Sequence, residues 1–321
     1  MNSPELGLLE RRLLFVTGKG GVGKTSVSAA LATLAATRGK RVLVVQVDAE
    51  GGLQGVLECG AIAYEPIEVS ANLWAMSVDT EAALREYIKR QLRLPIVTRL
   101  GPLARSLDFV ANAAPGVKEL LVIGKIMWEI REKSYDLVVV DSSASGHVVS
   151  QLSAPNAVNE LVQVGRIREQ TQWMIDLLAD PAVTGAVIVT TPEEMPVTEA
   201  IELLARLESE TDVEVAAIVV NKVLPELFGR GEQAVFDVLN SDQGRLLLAQ
   251  VVGADPEAIL DGADLAGRLR RSRGKHLERL RSGIDPEVPM IFLPQLFSAS
   301  HGIRSTRELA DAFDDEIGEG R

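Results

Sequence analysis

Residues 18–25 read Gly18-Lys19-Gly20-Gly21-Val22-Gly23-Lys24-Thr25, and Ser26 follows. The spacing is G-x-x-x-x-G-K-[ST], the pattern of a loop that surrounds phosphate oxygens with backbone N–H groups. Glycines suit such a loop because side chains would obstruct the convergence of those amides. The context supports the motif. An apolar run, Leu13–Thr17, leads in, and a helical pattern, Thr25–Thr37, leads out. A helix that starts at the loop aims the positive end of its dipole at the same anion. Lys24 is therefore the expected counter-charge for the β and γ phosphates of a nucleotide. The Thr25 hydroxyl is the expected ligand of Mg²⁺. Gly18 through Ser26 are the nucleotide-binding candidates, with Lys24 as a catalytic candidate.

Outward from the loop, apolar runs of strand length recur at Val42–Val47, Leu137–Val140, Ala186–Thr190, Val215–Val220 and Met290–Leu293. Most are continuous rather than alternating, as strands covered on both faces are. Helical patterns lie between them at Glu81–Leu92, Val117–Glu132, Ala157–Leu178, Val197–Glu208 and Leu265–Leu280. This alternation predicts an α/β fold, a doubly wound and mostly parallel sheet. A weaker run, Leu73–Val78, is expected at a sheet edge. The whole chain, 1–321, reads as one nucleotide-binding domain with helical insertions at about 80–134 and 224–285. The acidic tail Asp311–Arg321 is expected to fray. Trp74, Trp128 and Trp173 are expected in the core.

Two acids follow strands. Asp48 follows Val42–Val47 and Asp141 follows Leu137–Val140. Carboxyl ends of strands are where the ligand crevice of a doubly wound fold forms. Asp141 is the candidate that holds Mg²⁺ through water, and Asp48 the candidate that orients the attacking water, counted with Thr25 and Asp141 among the metal-site residues.

Composition narrows the function classes. Lys plus Arg number 33 against 45 Asp plus Glu, a net charge of −12. A general nucleic-acid binder needs a basic footprint instead, so no nucleic acid is expected. The single cysteine, Cys59, excludes an internal disulfide and a multi-cysteine metal site within one chain. His147, His276 and His301 are too scattered for zinc. No run reaches the roughly 18 apolar residues of a spanning helix. The N-terminus lacks the pattern of a secretory signal, and a cytoplasmic location is expected.

Lys19 resembles the second lysine of the deviant Walker A group of ATPases, where it crosses a dimer interface to the partner's nucleotide, and the resemblance makes Lys19 a catalytic candidate. Within that group the chain resembles the ArsA-type ATPases, which include the arsenite-pump ATPase and the tail-anchored-protein targeting ATPase. Their second switch reads Asp-Thr-Ala-Pro-Thr-Gly-His, and this chain has Asp141-Ser142-Ser143-Ala144-Ser145-Gly146-His147, then Gln151-Leu152-Ser153-Ala154-Pro155. Pro115-Gly116-Val117-Lys118-Glu119 looks like the family's Pro-Gly-x-x-Glu helix start. Thr191-Pro192-Glu193-Glu194-Met195-Pro196-Val197-Thr198-Glu199 is similar to its Pro-Glu segment, whose first Glu would face the partner's nucleotide. The resemblance implies that Asn221 of Val219-Val220-Asn221-Lys222 reads adenine. It implies the same neighbourhood for Pro294 and Gln295 of Phe292-Leu293-Pro294-Gln295.

Some positions depart from the family pattern. The first switch is Asp48-Ala49-Glu50-Gly51 in place of Asp-Pro-Ala-His, and Ala144 replaces the second-switch proline. These changes imply slow or partner-dependent hydrolysis. The targeting factor's Cys-x-x-Cys has no counterpart, so no zinc is expected. About 30 residues separate Pro155 from Ala186, less than the targeting factor's client-covering helical segment.

The leading expectation is a Mg-dependent ATPase acting as a homodimer, or as a heterodimer with a related ATPase subunit. It would bind and release a hydrophobic or membrane-associated protein client. The alternatives are a weakly hydrolysing scaffold subunit and a MinD- or ParA-like spatial regulator. The apolar positions Leu84, Ile88, Leu92, Ile96 and Leu100 fit a client groove or the buried stripe of an insertion helix, and periodicity does not separate the two. The basic run Arg268–His276 fits a solvated helix face, an acidic lipid or a partner.

Overall fold

In a computed structural model of the chain, the described residues are 7–47, 52–92, 116–132, 134–142, 145–162, 164–252, 256–297 and 302–318. Their strands form one sheet: β1 (Leu13–Gly18), β2 (Val42–Val47), β3 (Ile67–Ser70), β4 (Leu73–Val78), β5 (Leu137–Asp141), β6 (Thr184–Thr190), β7 (Val215–Val223) and β8 (Met290–Pro294). The order across the sheet is β3-β4-β2-β5-β1-β6-β7-β8. All neighbours pair in parallel except β3 with β4. The sequence expectation of a mostly parallel α/β sheet is met, with β1 and its loop near the centre.

The helices are α1 (Lys24–Thr37), α2 (Gly52–Leu57), α3 (Thr80–Leu92), α4 (Val117–Arg131), α5 (Ser145–Leu161), α6 (Arg166–Ala179), α7 (Glu194–Glu210), α8 (Arg230–Leu239), α9 (Asp242–Val252), α10 (Glu257–Ser282) and α11 (Ile303–Gly318). They cover both faces of the sheet, which explains the continuous apolar runs. In β1, Leu14 and Val16 join a core with α1, α2 and α11. Leu13 and Phe15 point the other way, into a core with α4, α5 and α7. The same alternation divides β2 and β5 between the two cores. Small residues let α1 sit close: Ala29, Ala30, Ala32 and Ala35 are buried together with Leu31. Lys125 of α4 is buried between Glu86 of α3 at 3.1 Å and Glu129 at 2.8 Å. That pairing is what makes a buried ammonium tolerable.

Four expectations need correction. Leu73–Val78 is an interior strand, because β3 pairs outside it in antiparallel fashion. The edge strand was missed since half its residues are exposed and it is only four residues long. The segment Ala157–Leu178 is two helices rather than one. Gly165, at φ +100°, turns the chain between α5 and α6, and Thr171 Oγ1 donates to Asn159 Oδ1 at 2.9 Å across the pair. Pro155 lies inside α5. The acidic tail is helical to Gly318, since α11 buries Leu309, Ala310 and Phe313. The three tryptophans are half-buried at the margin rather than inside the core, with Trp74 and Trp173 packed against it. Trp74 tilts against Tyr135, and the Arg131 guanidinium lies over Trp128 and Trp173, which gives each ring a polar or aromatic neighbour at the margin.

Candidate nucleotide site

The loop is built where β1 ends. Gly18 has φ +146°, and a Cβ there would lie 2.1 Å from the Val189 carbonyl oxygen of β6. Only glycine lets the strand turn this close to its neighbour. Gly21 and Gly23 have φ +86° and +95°. Around Gly20 and Gly21 nothing lies within 4 Å of an added Cβ, so the loop presents open space on that side. α1 begins at Lys24 directly after the last glycine, and its N–H groups face the loop.

Lys24 Nζ donates to the Lys19 carbonyl oxygen at 3.1 Å, which curls the side chain back over the loop. Burial holds its pKa below the ordinary lysine value, while the Asp141 carboxylate pulls in the other direction. Asp141 ends β5 and is buried. It accepts from Ser28 Oγ at 3.2 Å and is also hydrogen-bonded by Thr25. Burial still raises its pKa, against those bonds and Lys24. Ser26 is half-buried at the start of α1. Ser142 Oγ, next to Asp141, is buried with no hydrogen-bond partner among the described residues.

Asp48 lies outside the described residues, as do Ser143 and Ala144 of the second switch and Pro115. The flanks of the first switch are placed. Gln46 Oε1 accepts the Leu53 N–H at 3.0 Å, and a Cβ on Gly52 would lie 3.6 Å from Thr25 Oγ1. Gly52, which opens α2, thus lies beside Thr25. Gly146 and His147 are exposed in the first turn of α5. Of the apolar stripe, Leu84 is half-buried, the side chains of Ile88 and Leu92 are not described, and Ile96 and Leu100 lie outside the described residues.

The far side of the loop is fastened by β7. Asn221 is buried, and its Nδ2 donates to the Val22 carbonyl oxygen at 2.9 Å. Its Oδ1 accepts the Lys222 N–H at 2.9 Å. Lys222, at φ +59°, turns so that its Nζ donates to the Gly21 carbonyl oxygen at 2.9 Å. Pro294 registers with Val223, and the Gln295 N–H donates to the Val223 carbonyl oxygen at 2.8 Å. Asn221, Pro294 and Gln295 therefore share one end of the sheet with the loop.

The two residues assigned to a partner's nucleotide are engaged at home. Lys19 Nζ pairs with Glu199 Oε1 of α7. Glu193 Oε1 pairs with Arg273 Nη2 of α10 at 3.2 Å. Sequence reasoning missed Ser28, Glu199, Lys222 and Arg273. Ser28 had a signal, since it stands three residues after Thr25 on the same helix face. The Lys19–Glu199 pair had none, because the two are separated by 180 positions.

The donor set suits Mg–ATP. Thr25 and Asp141 offer a hydroxyl and a carboxylate, which are oxygen ligands for a hard cation. The glycine turns leave room for phosphate, and Lys24 supplies charge. A central parallel strand, this loop and a following helix define a P-loop nucleoside triphosphatase. The profile of the family described as anion-transporting ATPase (ArsA type) matches residues 11–175 and 163–236. The ATPase BagA of Mycobacterium tuberculosis is 29% identical over 225 residues, 67% of this chain and 66% of its own length. A Halobacterium salinarum protein named for driving an arsenical pump is 28% identical over 294 residues, 80% of this chain and 45% of its own. ATPase ASNA1 homolog 1 of Paramecium tetraurelia is 32% identical over 165 residues, 47% of each chain. The chain belongs to the ArsA-type ATPase family. It spans just under two thirds of the mycobacterial relative and under half of the other two.

Among the described residues no helix is long and apolar enough to cross a membrane.

Proposed function

We propose that this chain is a Mg-dependent ATPase whose nucleotide state opens and closes a dimer, with a second copy or a related ATPase subunit. The observation that carries the reading is the convergence of the glycine loop, Lys24, Thr25 and Asp141 at the carboxyl ends of β1 and β5. One nucleotide-binding domain spanning the chain, with the helical segments at about 80–134 and 224–285 as insertions, belongs to the same reading.

Bound Mg–ATP supplies the reactive phosphoanhydride and the charge that polarises it. The loop amides hold the phosphate oxygens, and Lys24 neutralises them. Thr25 and Asp141 hold the metal, Asp141 through water. Asp48, between the placed flanks Val47 and Gly52, orients the attacking water. Asn221, Pro294 and Gln295 border the base. Lys19 leaves Glu199 and reaches the partner's phosphates when the dimer closes, a charge delivered only in the closed state. Glu193 faces the same nucleotide. Release of product reverses these contacts. The helical insertions pass the change to a hydrophobic or membrane-associated protein partner.

The test is steady-state hydrolysis across protein concentration, beside nucleotide titration. The expected result is a rate per chain that rises with concentration. Lys19→Ala should bind ATP yet lose at least about tenfold in turnover, as loss of a transition-state charge does. Lys24→Ala should lose binding itself. A concentration-independent rate that survives Lys19→Ala would overturn the dimer, and absence of nucleotide binding would overturn the ATPase reading. If hydrolysis appears only on adding a related subunit, the partner is that subunit rather than a second copy.

A further inference from the structure

The longest helix, α10, has two different faces. Its inner face is committed to the fold. Leu260 and Leu280 are buried, Arg270 donates to the Leu224 carbonyl oxygen, and Arg273 reaches Glu193 and the Lys222 carbonyl oxygen. Further round, beginning with Arg271 at the edge of the cleft that α10 forms with residues 225–229, three cations are left without ion-pair partners among the described residues. Arg271, Lys275 and Arg279 recur every fourth residue, so they stand in one row. All three are exposed. Arg268 extends the row, but Asp264 pairs with it at 3.2 Å. Exposed Glu278 lies at the margin.

Roughly a quarter-turn around the helix from this row, α10 also exposes leucines. Leu265 and Leu269, one turn apart on α10, are 52% and 44% exposed. The adjoining α9 is tied to α10 by Arg245 and Asp261 at 2.6 Å. It leaves Leu246 and Leu247 exposed by 67% and 57%. Exposed side chains of this size, on a helix pair that also carries unpaired cations, are unusual on a chain of net charge −12.

We infer that the outer face of α10, with α9 beside it, docks on an anionic lipid surface. Leucines enter the interface between headgroups and acyl chains while Arg271, Lys275 and Arg279 meet the lipid phosphates. The chain's overall negative charge does not prevent this. Charges beyond about one Debye length, roughly 10 Å at 0.1 M salt, are screened, so the membrane senses the local row. Charge also decides between occupants. Two copies paired about a twofold axis through this face would set the cationic row against itself. A nucleic acid would meet leucines where stacking needs aromatic rings. Docking of this kind is independent of ATP hydrolysis.

The experiment is flotation of the full chain with vesicles of phosphatidylcholine alone or of phosphatidylcholine with about one third phosphatidylglycerol, at low and raised salt. Binding is expected to the anionic vesicles only and to weaken with salt. The charge-reversed variant R271E/K275E/R279E and the variant Leu265→Ser/Leu269→Ser should each lose at least about tenfold in binding. Their thermal unfolding and nucleotide affinity should match wild type, since none of these residues touches the phosphate loop. Absence of flotation with anionic vesicles, equal flotation with neutral ones, or unchanged flotation of the charge-reversed variant would overturn the inference. So would variants that shift the sedimentation coefficient of the chain while leaving flotation intact, because the face would then join protein to protein.

Discussion

Gly21 and Gly23 share a left-handed backbone but differ in what surrounds them. An added Cβ meets nothing at Gly21, whereas at Gly23 it would lie 2.4 Å from Asn221 Nδ2. That amide is buried and bonded on both sides, to the Val22 carbonyl oxygen and the Lys222 N–H. It has no free direction in which to yield. Gly21→Ala is therefore expected to cost about 1 kcal/mol of backbone strain. Gly23→Ala is expected to cost about 2–3 kcal/mol through overpacking and to weaken ATP binding more than the first variant. Denaturant unfolding and nucleotide titration of the two variants measure both effects. Lys24 and Asp141 show a related tension. Burial disfavours the charged form of each, and each partly offsets that for the other. Such mutual support suits a site that is completed by a ligand carrying both phosphate and metal.

At the scale of elements, parallel neighbours must be held in register at their starts. Arg41, before β2, and Asp136, before β5, form such a clamp. The Arg41 N–H donates to Asp136 Oδ2 at 2.9 Å, and Arg41 Nη2 donates to Oδ1 at 2.8 Å. These bonds hold the Asp136 carboxyl at about 2, below its ordinary 3.8. A depressed acid pKa adds stability that is present above the unfolded value and lost as pH falls through the folded one. The stability gap between wild type and Asp136→Asn should thus be full above pH about 4 and close near pH 2. The pair is exposed and screened, so the gap is small. Urea melts across that range test it, and a gap that widens toward acid would contradict it. The sequence marked most helices by their apolar period. It did not mark the break at Gly165, because α5 and α6 pack on each other as a pair and the apolar pattern runs through their join.

For the molecule as a whole, the C-terminal helix completes one of the two cores. Phe313 is fully buried with Leu31 of α1 and Leu57 of α2 in that core. Phe313→Ala should destabilise the chain by about 3–5 kcal/mol, read by thermal or denaturant unfolding, and a cost under 1 kcal/mol would mean that α11 is dispensable. Charge in Asp311–Arg321 suggested fraying, yet the helix that contains most of it buries Leu309, Ala310 and Phe313 on one face against the core.

The sequence by itself determined the glycine loop, the central strands and the acid that ends β5. Each is written in consecutive residues, as glycine freedom, double-sided burial or position at a strand end. Only the tertiary structure decided that Lys19 rests on Glu199, that Asn221 braces the loop 199 positions away, and that β4 lies inside the sheet. Those relations depend on which distant segments the sheet order brings side by side, and no local pattern of charge or hydropathy encodes that choice.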